Sequence, residues 1–202
     1  MTTGSSTEMT DRERAKANRR AALVREAALL FAARGFSGVS LEEVGAAVGV
    51  SGPAVYRHFP SKQAMLGAIL VGVSERLLAG GEGACTAHDS PAARLDALIR
   101  FHVDFALTDA DVIRVQDRDL SSLSDEDRHR VRRLQREYVE VWVDVLAAMR
   151  PAEPRSELRM RAHATFGLIN STPHSVRAQR DAPDAVRVRS LLEDMAYAAL
   201  TA

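Results

Sequence analysis

The chain has 202 residues, 46% apolar and 27% charged, enough for a sizeable core and too apolar for wholesale disorder. Its formal net charge is zero, so no bulk positive field points to nucleic acid, yet residues 1–62 carry nine Lys/Arg against six Asp/Glu and the remainder 18 against 21. Ala, Leu, Arg and Glu dominate, β-branched runs are scarce and no hairpin signal separates alternating strands, so the fold class read from the sequence is all-α.

Met1 to Thr10 is Ser/Thr-rich without an apolar face and reads as a mobile tail. Arg12, Arg14, Lys16, Arg19 and Arg20 follow, either a solvated helix start or an arm that tracks phosphates. A first helix is predicted to run to Arg34, burying Leu23, Val24, Ala27, Leu30 and Phe31, with Gly35 as its stop. Ser40 with Glu43 forms a capping box, and Leu41, Val44 and Val48 lie on one stripe of a second, short helix. Gly49 supplies a tight turn, Val50 plugs the angle, Ser51 caps a third helix and Pro53 sits in its first turn. That third helix is expected through Ala54, Tyr56, Arg57 and His58 to Phe59, before Pro60. Two short helices joined by a Gly-containing turn describe a helix-turn-helix, whose second helix enters the major groove of DNA.

Ser61 caps a fourth helix carrying Met65, Leu66, Ile69, Leu70, Val73 and Leu77, and Gly80 to Ser90 reads as a flexible loop holding Cys85 and His88. Ser90-Pro91 opens a fifth helix with Leu95, Leu98, Ile99, His102 and Phe105 along one side. Asp109 to Leu120 forms a short helix in which Asp117, Arg118 and Asp119 make salt bridges. A long helix then starts at the acidic turn after Ser124 and ends at Arg150. An eighth is expected from Arg155 to Ser171 or Thr172, stopped by Pro173, and a ninth from Asp184. The two C-terminal helices suit a dimer face, with Val188, Leu191, Leu192, Met195 and Ala199 as candidate interface residues.

The segment AALLFAARGFSGVSLEEVGAAVGVSGPAVYRHFPSKQAML resembles the DNA-binding domain of the tetracycline-repressor (TetR) family of transcriptional regulators. The likeness covers roughly residues 19–70: a Phe-x-x-x-Gly-Phe close of the first helix, the helix-turn-helix, then Tyr-x-His-Phe-x-Ser-Lys. It implies a homodimer of all-helical subunits, each a three-helix DNA-binding head and a C-terminal body for ligand and dimerisation. The expected division is a flexible basic arm over 1–18, a head over 19–62 and a ligand-binding and dimerisation domain over 63–202. The resemblance places Ser40 and Lys62 at phosphate contacts and Tyr56 and His58 at recognition-helix contacts. Ser51, Gly52, Pro53, Ala54 and Arg57 complete the expected DNA-binding set. At Gly52, Pro53 and Ala54 the chain departs from the family, offering close backbone approach and thymine-methyl contact instead of bidentate hydrogen bonds, and shifting base reading toward Arg57.

No P-loop, GxGxxG, GxSxG, HExxH or CxxC is present, and no catalytic residue, metal site or cofactor is predicted. The large groups Phe101, Phe105, Tyr138, Trp142 and Phe166, with Gln116, Arg118, His163 and Asn170 as polar anchors, could line a small-molecule site or simply fill a core. The stretches VIRVQDRDL, QREYVEVW and GLINSTPHS are similar to regulators of acyl-CoA and fatty-acid metabolism. With no run of about 18 apolar residues and no signal-peptide pattern, the expectation is a cytoplasmic protein without a membrane partner. The reading that follows is a non-enzymatic, dimeric repressor, released from a palindromic operator in double-stranded DNA by a small-molecule effector, for example an acyl-CoA or another lipophilic metabolite. The alternatives are a ligand-independent regulator or activator, and a helical small-molecule binding protein with a vestigial helix-turn-helix.

Overall fold

A computed structural model describes residues 10–177, 181 and 183–202. Among them the chain forms α1 (Asp11–Arg34), α2 (Leu41–Ala47), α3 (Gly52–Tyr56), α4 (Lys62–Thr86), α5 (Pro91–Thr108), α6 (Ala110–Asp119), α7 (Asp125–Met149), α8 (Arg155–Arg177) and α9 (Ala185–Thr201), with one 3-10 turn at Leu120–Ser122 and no strand. Hydroxyl or carboxylate caps start most of these helices: Thr10, Ser40, Ser61, Ser90, Ser124 and Asp184 each accept from the backbone N–H three residues on.

Four expectations are corrected. The arm predicted over 1–18 is helical from Asp11, because Thr10 and Glu13 form a capping box, so Arg12, Arg14 and Lys16 stand on the exposed first turns of α1. The tail before Thr10 lies outside the described residues. The third helix ends at Tyr56, not Phe59. The expected loop from Gly80 is instead the last part of α4, which continues to Thr86. The glycines there serve packing: a Cβ on Gly80 would sit 2.2 Å from the Phe101 ring and one on Gly81 2.6 Å from Tyr138 Cε2, so α5 and α7 press directly on the α4 backbone. Finally, α8 runs through Pro173 to Arg177. The Thr172 hydroxyl donates to the Leu168 carbonyl at 2.8 Å, satisfying a group next to the one that the proline leaves without a donor.

Two apolar cores share α4. The first joins Leu23, Ala27 and Phe31 of α1, Val39, Leu41, Val44, Val55 and Phe59 with Met65, Leu66, Ile69 and Leu70 of α4, and takes in Val115 of α6 and Val131 and Leu134 of α7. The second packs Leu95, Leu98 and Ile99 of α5 with Tyr138, Trp142 and Leu146 of α7, Leu158, Ala162 and Ile169 of α8, and Val188, Leu192 and Leu200 of α9. The division expected at residue 62 therefore does not coincide with a break in packing. By length and composition α4 could cross a membrane, although half of its apolar stretch is buried; the sequence reading missed this because Ser74, Glu75 and Arg76 interrupt the run. It is the central helix, packed against α1, α5, α6 and α7, as a helix with apolar residues on all sides should be.

On α9, Val188 and Leu192 face inward, 5% and 3% exposed, and so are not available to a partner. The outward stripe is Leu191, Met195 and Ala199, one helical turn apart, beside Met160, Ala164 and Leu168 of α8.

Gly81→Ala is expected to destabilise the protein by about 1–3 kcal/mol through overpacking against Tyr138, whereas Gly83→Ala, whose Cβ would meet nothing within 4 Å, should stabilise it by a few tenths to about 1 kcal/mol. Urea unfolding of the two variants beside the parent chain checks both signs.

Candidate nucleic-acid interface and ligand cavity

The helix-turn-helix is anchored at the entry to α2. Ser40 and Glu43 cap one another, with Ser40 N–H donating to Glu43 Oε2 at 2.7 Å, and Arg34 at the end of α1 donates to Glu43 Oε1 at 2.8 Å. Those contacts, the Ser40 amide first, hold the Glu43 carboxyl down at about 2. Gly49, at φ 71°, makes the turn, and Val55 and Phe59 are sealed into the first core, which orients α3.

On the surface so presented, Tyr56 is half exposed and its hydroxyl donates to Glu42 at 3.0 Å, which raises the phenol's affinity for its proton. Pro53 and Arg57 are exposed and Gly52 is half-buried. Ser51 occupies the N-cap position but its side chain makes no cap bond. Ala54 is 9% exposed and packs inward, so the thymine-methyl contact expected of it is corrected. His58 is half-buried with Nδ1 lacking a hydrogen-bond partner. Burial, then the charges of Lys16, Arg19, Arg57 and Arg20, disfavour its protonation. The cations of α1 thus border the end of α3, and the Arg20 guanidinium lies 4.9 Å from the Phe59 ring centroid. Lys62 is turned back onto the head: its Nζ donates to Val39 O at 2.9 Å and Ser37 O at 3.5 Å and sits 4.6 Å from the Phe36 ring centroid. That ties the segment before α2 to the start of α4.

Inside the body, a cavity of ≈ 210 Å³ lies among α4, α5, α6, α7 and α8, lined by Ser74, Leu77, His102, Phe105, Val112, Ile113, Gln116, Leu134, Gln135, Tyr138, Val139, His163, Phe166 and Asn170. Its wall contains no Lys, Arg, Asp or Glu. His102 is the centre of its polar side. Nδ1 and the Tyr138 hydroxyl are 3.0 Å apart, and Nε2 and Asn170 Oδ1 3.2 Å apart. A neutral ring satisfies both: Nε2–H donates to Asn170, and Nδ1 accepts from Tyr138. Burial depresses His102 to about 4, the Asn170 bond offsetting a little of it, and burial raises the Tyr138 phenol well above its ordinary value. Phe166 stacks on His102 at 4.6 Å and Trp142 meets Phe166 edge-on at 5.1 Å, so the polar pair is held in an aromatic box.

Of the nine ligand candidates named from the sequence, Phe105, Gln116, Tyr138, His163, Phe166 and Asn170 line this cavity and three do not. Phe101 precedes His102 by one residue, about 100° around α5, and meets Gly80 instead. Trp142 is one turn beyond Tyr138 and is fully buried behind the wall. Arg118 points away from the cavity to α1, where it donates to the carbonyls of Phe31 and Ala32 and pairs with the buried Asp119 at 2.9 Å. The apolar spacing of α5 places His102 on the buried side of its helix without assigning it a role; a histidine inside an apolar stripe is the available signal. Ser74, Leu77 and Gln135 carried no signal of their own.

Among the described residues no group of His, Cys, Asp and Glu is placed to hold a metal. Residues 23–69 match the family described as bacterial regulatory proteins, tetR family, and residues 88–174 the one described as tetracyclin repressor-like, C-terminal domain. No curated protein sequence matches the chain. Among solved structures, it is similar to a TetR-family transcriptional regulator from Bordetella parapertussis 12822, at 25% identity and TM-score 0.79 over 91% of this chain and 95% of that one. It also shares its fold with AibR, solved in complex with isovaleryl coenzyme A and operator DNA, at 18% identity and TM-score 0.72 over 89% and 96% of the two chains. A third fold relative is the fatty acid degradation regulator FadR from Bacillus halodurans, at 13% identity and TM-score 0.68 over 89% and 94%.

His102 has a folded-state value near 4 and an ordinary one of 6.5, so the unfolded chain takes up its proton first as pH falls. Stability from this group is complete above pH 6.5 and declines toward pH 4, by up to roughly 3 kcal/mol. Stability measured across that window should fall less steeply in His102→Gln than in the parent; identical slopes would show that the ring is not buried neutral.

Proposed function

We propose that this chain, a member of the tetracycline-repressor family of bacterial regulatory proteins, is a homodimeric repressor that leaves a palindromic operator when a small, largely uncharged organic group fills the cavity between α4 and α8. The observation that carries the reading is that one body holds both parts of a switch: an exposed probe at α3 and a largely apolar chamber that shares α4 and α6 with the core beneath that probe.

At the DNA end, Tyr56 and Arg57 are the exposed side chains of the probe, and Lys16, Arg19 and Arg20 of α1 are the adjacent cations for phosphates. Tyr56 exchanges its bond to Glu42 for one to a phosphate or base edge. Ser40 and Lys62 position the head; the Ser40 hydroxyl exchanges its bond to the Glu43 carboxylate for one to a phosphate, and Lys62 offers the N–H its present hydrogen bonds leave over. His58, at the end of the probe and in the field of those cations, reads as a neutral ring.

At the partner end, Met160, 73% exposed, and Met195, 50% exposed, with Ala164, Leu168 and Ala199 form an outward apolar face on α8 and α9 whose small residues admit a close second copy. A two-fold dimer sets the probes about 34–36 Å apart, one turn of DNA.

Between the ends, α6 is the direct connection. Val112, Ile113 and Gln116 line the cavity, while Arg118, half a turn further, holds the last carbonyls of α1. A ligand that displaces α6 or tilts α4 moves the head, and shifts operator affinity by as much as it prefers the displaced arrangement. A protein of this kind works in the cytoplasm.

Selection of bound fragments from genomic DNA by the purified chain should return an inverted repeat. Tyr56→Ala with Arg57→Ala should weaken binding to it by at least about 10²-fold, at ~1–3 kcal/mol per lost contact, while leaving the melting temperature within a few degrees. Met195→Glu should give a monomer by analytical ultracentrifugation, with similar loss. Operator binding that survives both changes would contradict the proposal.

A further inference from the structure

The cavity has a mouth of opposite chemistry. Gln135, Val139 and His163 line it on one side and, on the other, line a second hollow between α7 and α8, whose remaining wall is Arg132, Arg136, Glu140 and Arg159. The two hollows therefore share a wall, one lined without Lys, Arg, Asp or Glu, the other bordered by three arginines.

The cations at this mouth differ from their neighbours. Along the same stretch of α7, Arg128 pairs with Asp125, Arg130 with Glu75 and Arg133 with Glu137. Arg159 is held by Glu140 at 2.6 Å. Arg132 and Arg136, one turn apart and both exposed, make no ion pair or side-chain hydrogen bond among the described residues. Two guanidinium forks on one helical face, without a carboxylate partner among the described residues, form a site for an anion with several acceptor oxygens. The inner chamber sets the other end of the ligand. A cavity of about 150 Å³ accepts benzene, so ≈ 210 Å³ takes a branched or aromatic acyl group and excludes a long chain. A charge placed there would meet no countercharge.

We propose that the effector is an amphipathic anion: a short branched or aromatic acyl group seated in the His102–Phe166 chamber, joined past Gln135 and His163 to a phosphorylated headgroup held by Arg132 and Arg136. This rests on the cavity being the effector site. A thioester of a phosphorylated carrier has this form, its carbonyl lying at the Gln116 and Gln135 amides and its phosphates outside. The free carboxylic acid keeps the acyl group but puts its charge at the carbonyl end and lacks the phosphorylated headgroup, and a neutral thioester keeps the acyl end without any charge.

Calorimetric titration of the purified chain separates these. The probes are isovaleryl and benzoyl coenzyme A, the matching neutral N-acetylcysteamine thioesters, the free acids, and coenzyme A alone. The expected result is that an acyl coenzyme A binds at least tenfold tighter than both its neutral thioester and its free acid, with affinity that falls as salt rises. Arg132→Gln with Arg136→Gln should remove that advantage and its salt dependence while leaving the neutral thioester's affinity unchanged. If the neutral thioester binds as tightly as the coenzyme A form, or the double variant binds as the parent does, the cationic mouth is refuted and the chamber stands. If the free acid matches the coenzyme A form, the headgroup assignment is refuted. If no acyl probe binds, the chamber is not an acyl site and this inference falls with it.

Discussion

The burial of α4 between two cores is the constraint on which the rest depends. Its first half supplies Met65, Leu66, Ile69 and Leu70 to the core under the reading helix, and its second half presents bare glycine backbone to Phe101 and Tyr138. Because Val115, Val131 and Leu134 of the body also enter the head's core, the head is not a bead on a string. Close-packed interiors deform little, so a change at one end must be taken up as a rigid displacement of whole helices. The Arg118 guanidinium adds a polar strut to the same joint. It adds a donor to the Phe31 and Ala32 carbonyls at the end of α1, and it neutralises Asp119 where that carboxylate is 7% exposed.

Charge is spent locally. A chain with no net charge still surrounds α3 with cations from α1 and leaves two arginines of α7 unmatched at the cavity mouth. The chamber wall has no Lys, Arg, Asp or Glu, and His102 at its centre is held neutral by burial. The three regions therefore favour three chemistries: phosphate at the head, an apolar neutral group in the chamber, an anion at its mouth.

Much of the fold was legible because it follows from local rules. Caps at Ser40, Ser61, Ser90, Ser124 and Asp184 and the apolar stripes behind them locate the helices, and capping is chemistry between residues three apart. What failed depends on partners distant in sequence. Gly80 and Gly81 look like a loop until the rings of Phe101 and Tyr138 fill the space a side chain would need. Pro173 looks like a stop until its helix is held by packing on α5 and α9. Thr10 reads as part of a Ser/Thr-rich tail until its box with Glu13 is seen to start α1. For the cavity, aromatic residues on the right helices were identifiable, but direction was not: Arg118 and Gln116 lie on one helix and face different domains. Val188 and Leu192 failed as interface residues for the same reason, since an apolar stripe does not say whether its partner is the same chain or another.

The claim that head and body form one mechanical unit is tested most directly by native-state hydrogen exchange on the full chain, followed peptide by peptide. The account predicts that the end of α1, the first half of α4 and all of α6 open together with a single free energy. Exchange of α1 to α3 at a markedly lower free energy, with α6 and α7 still protected, would show a head that moves independently of the body and would contradict it.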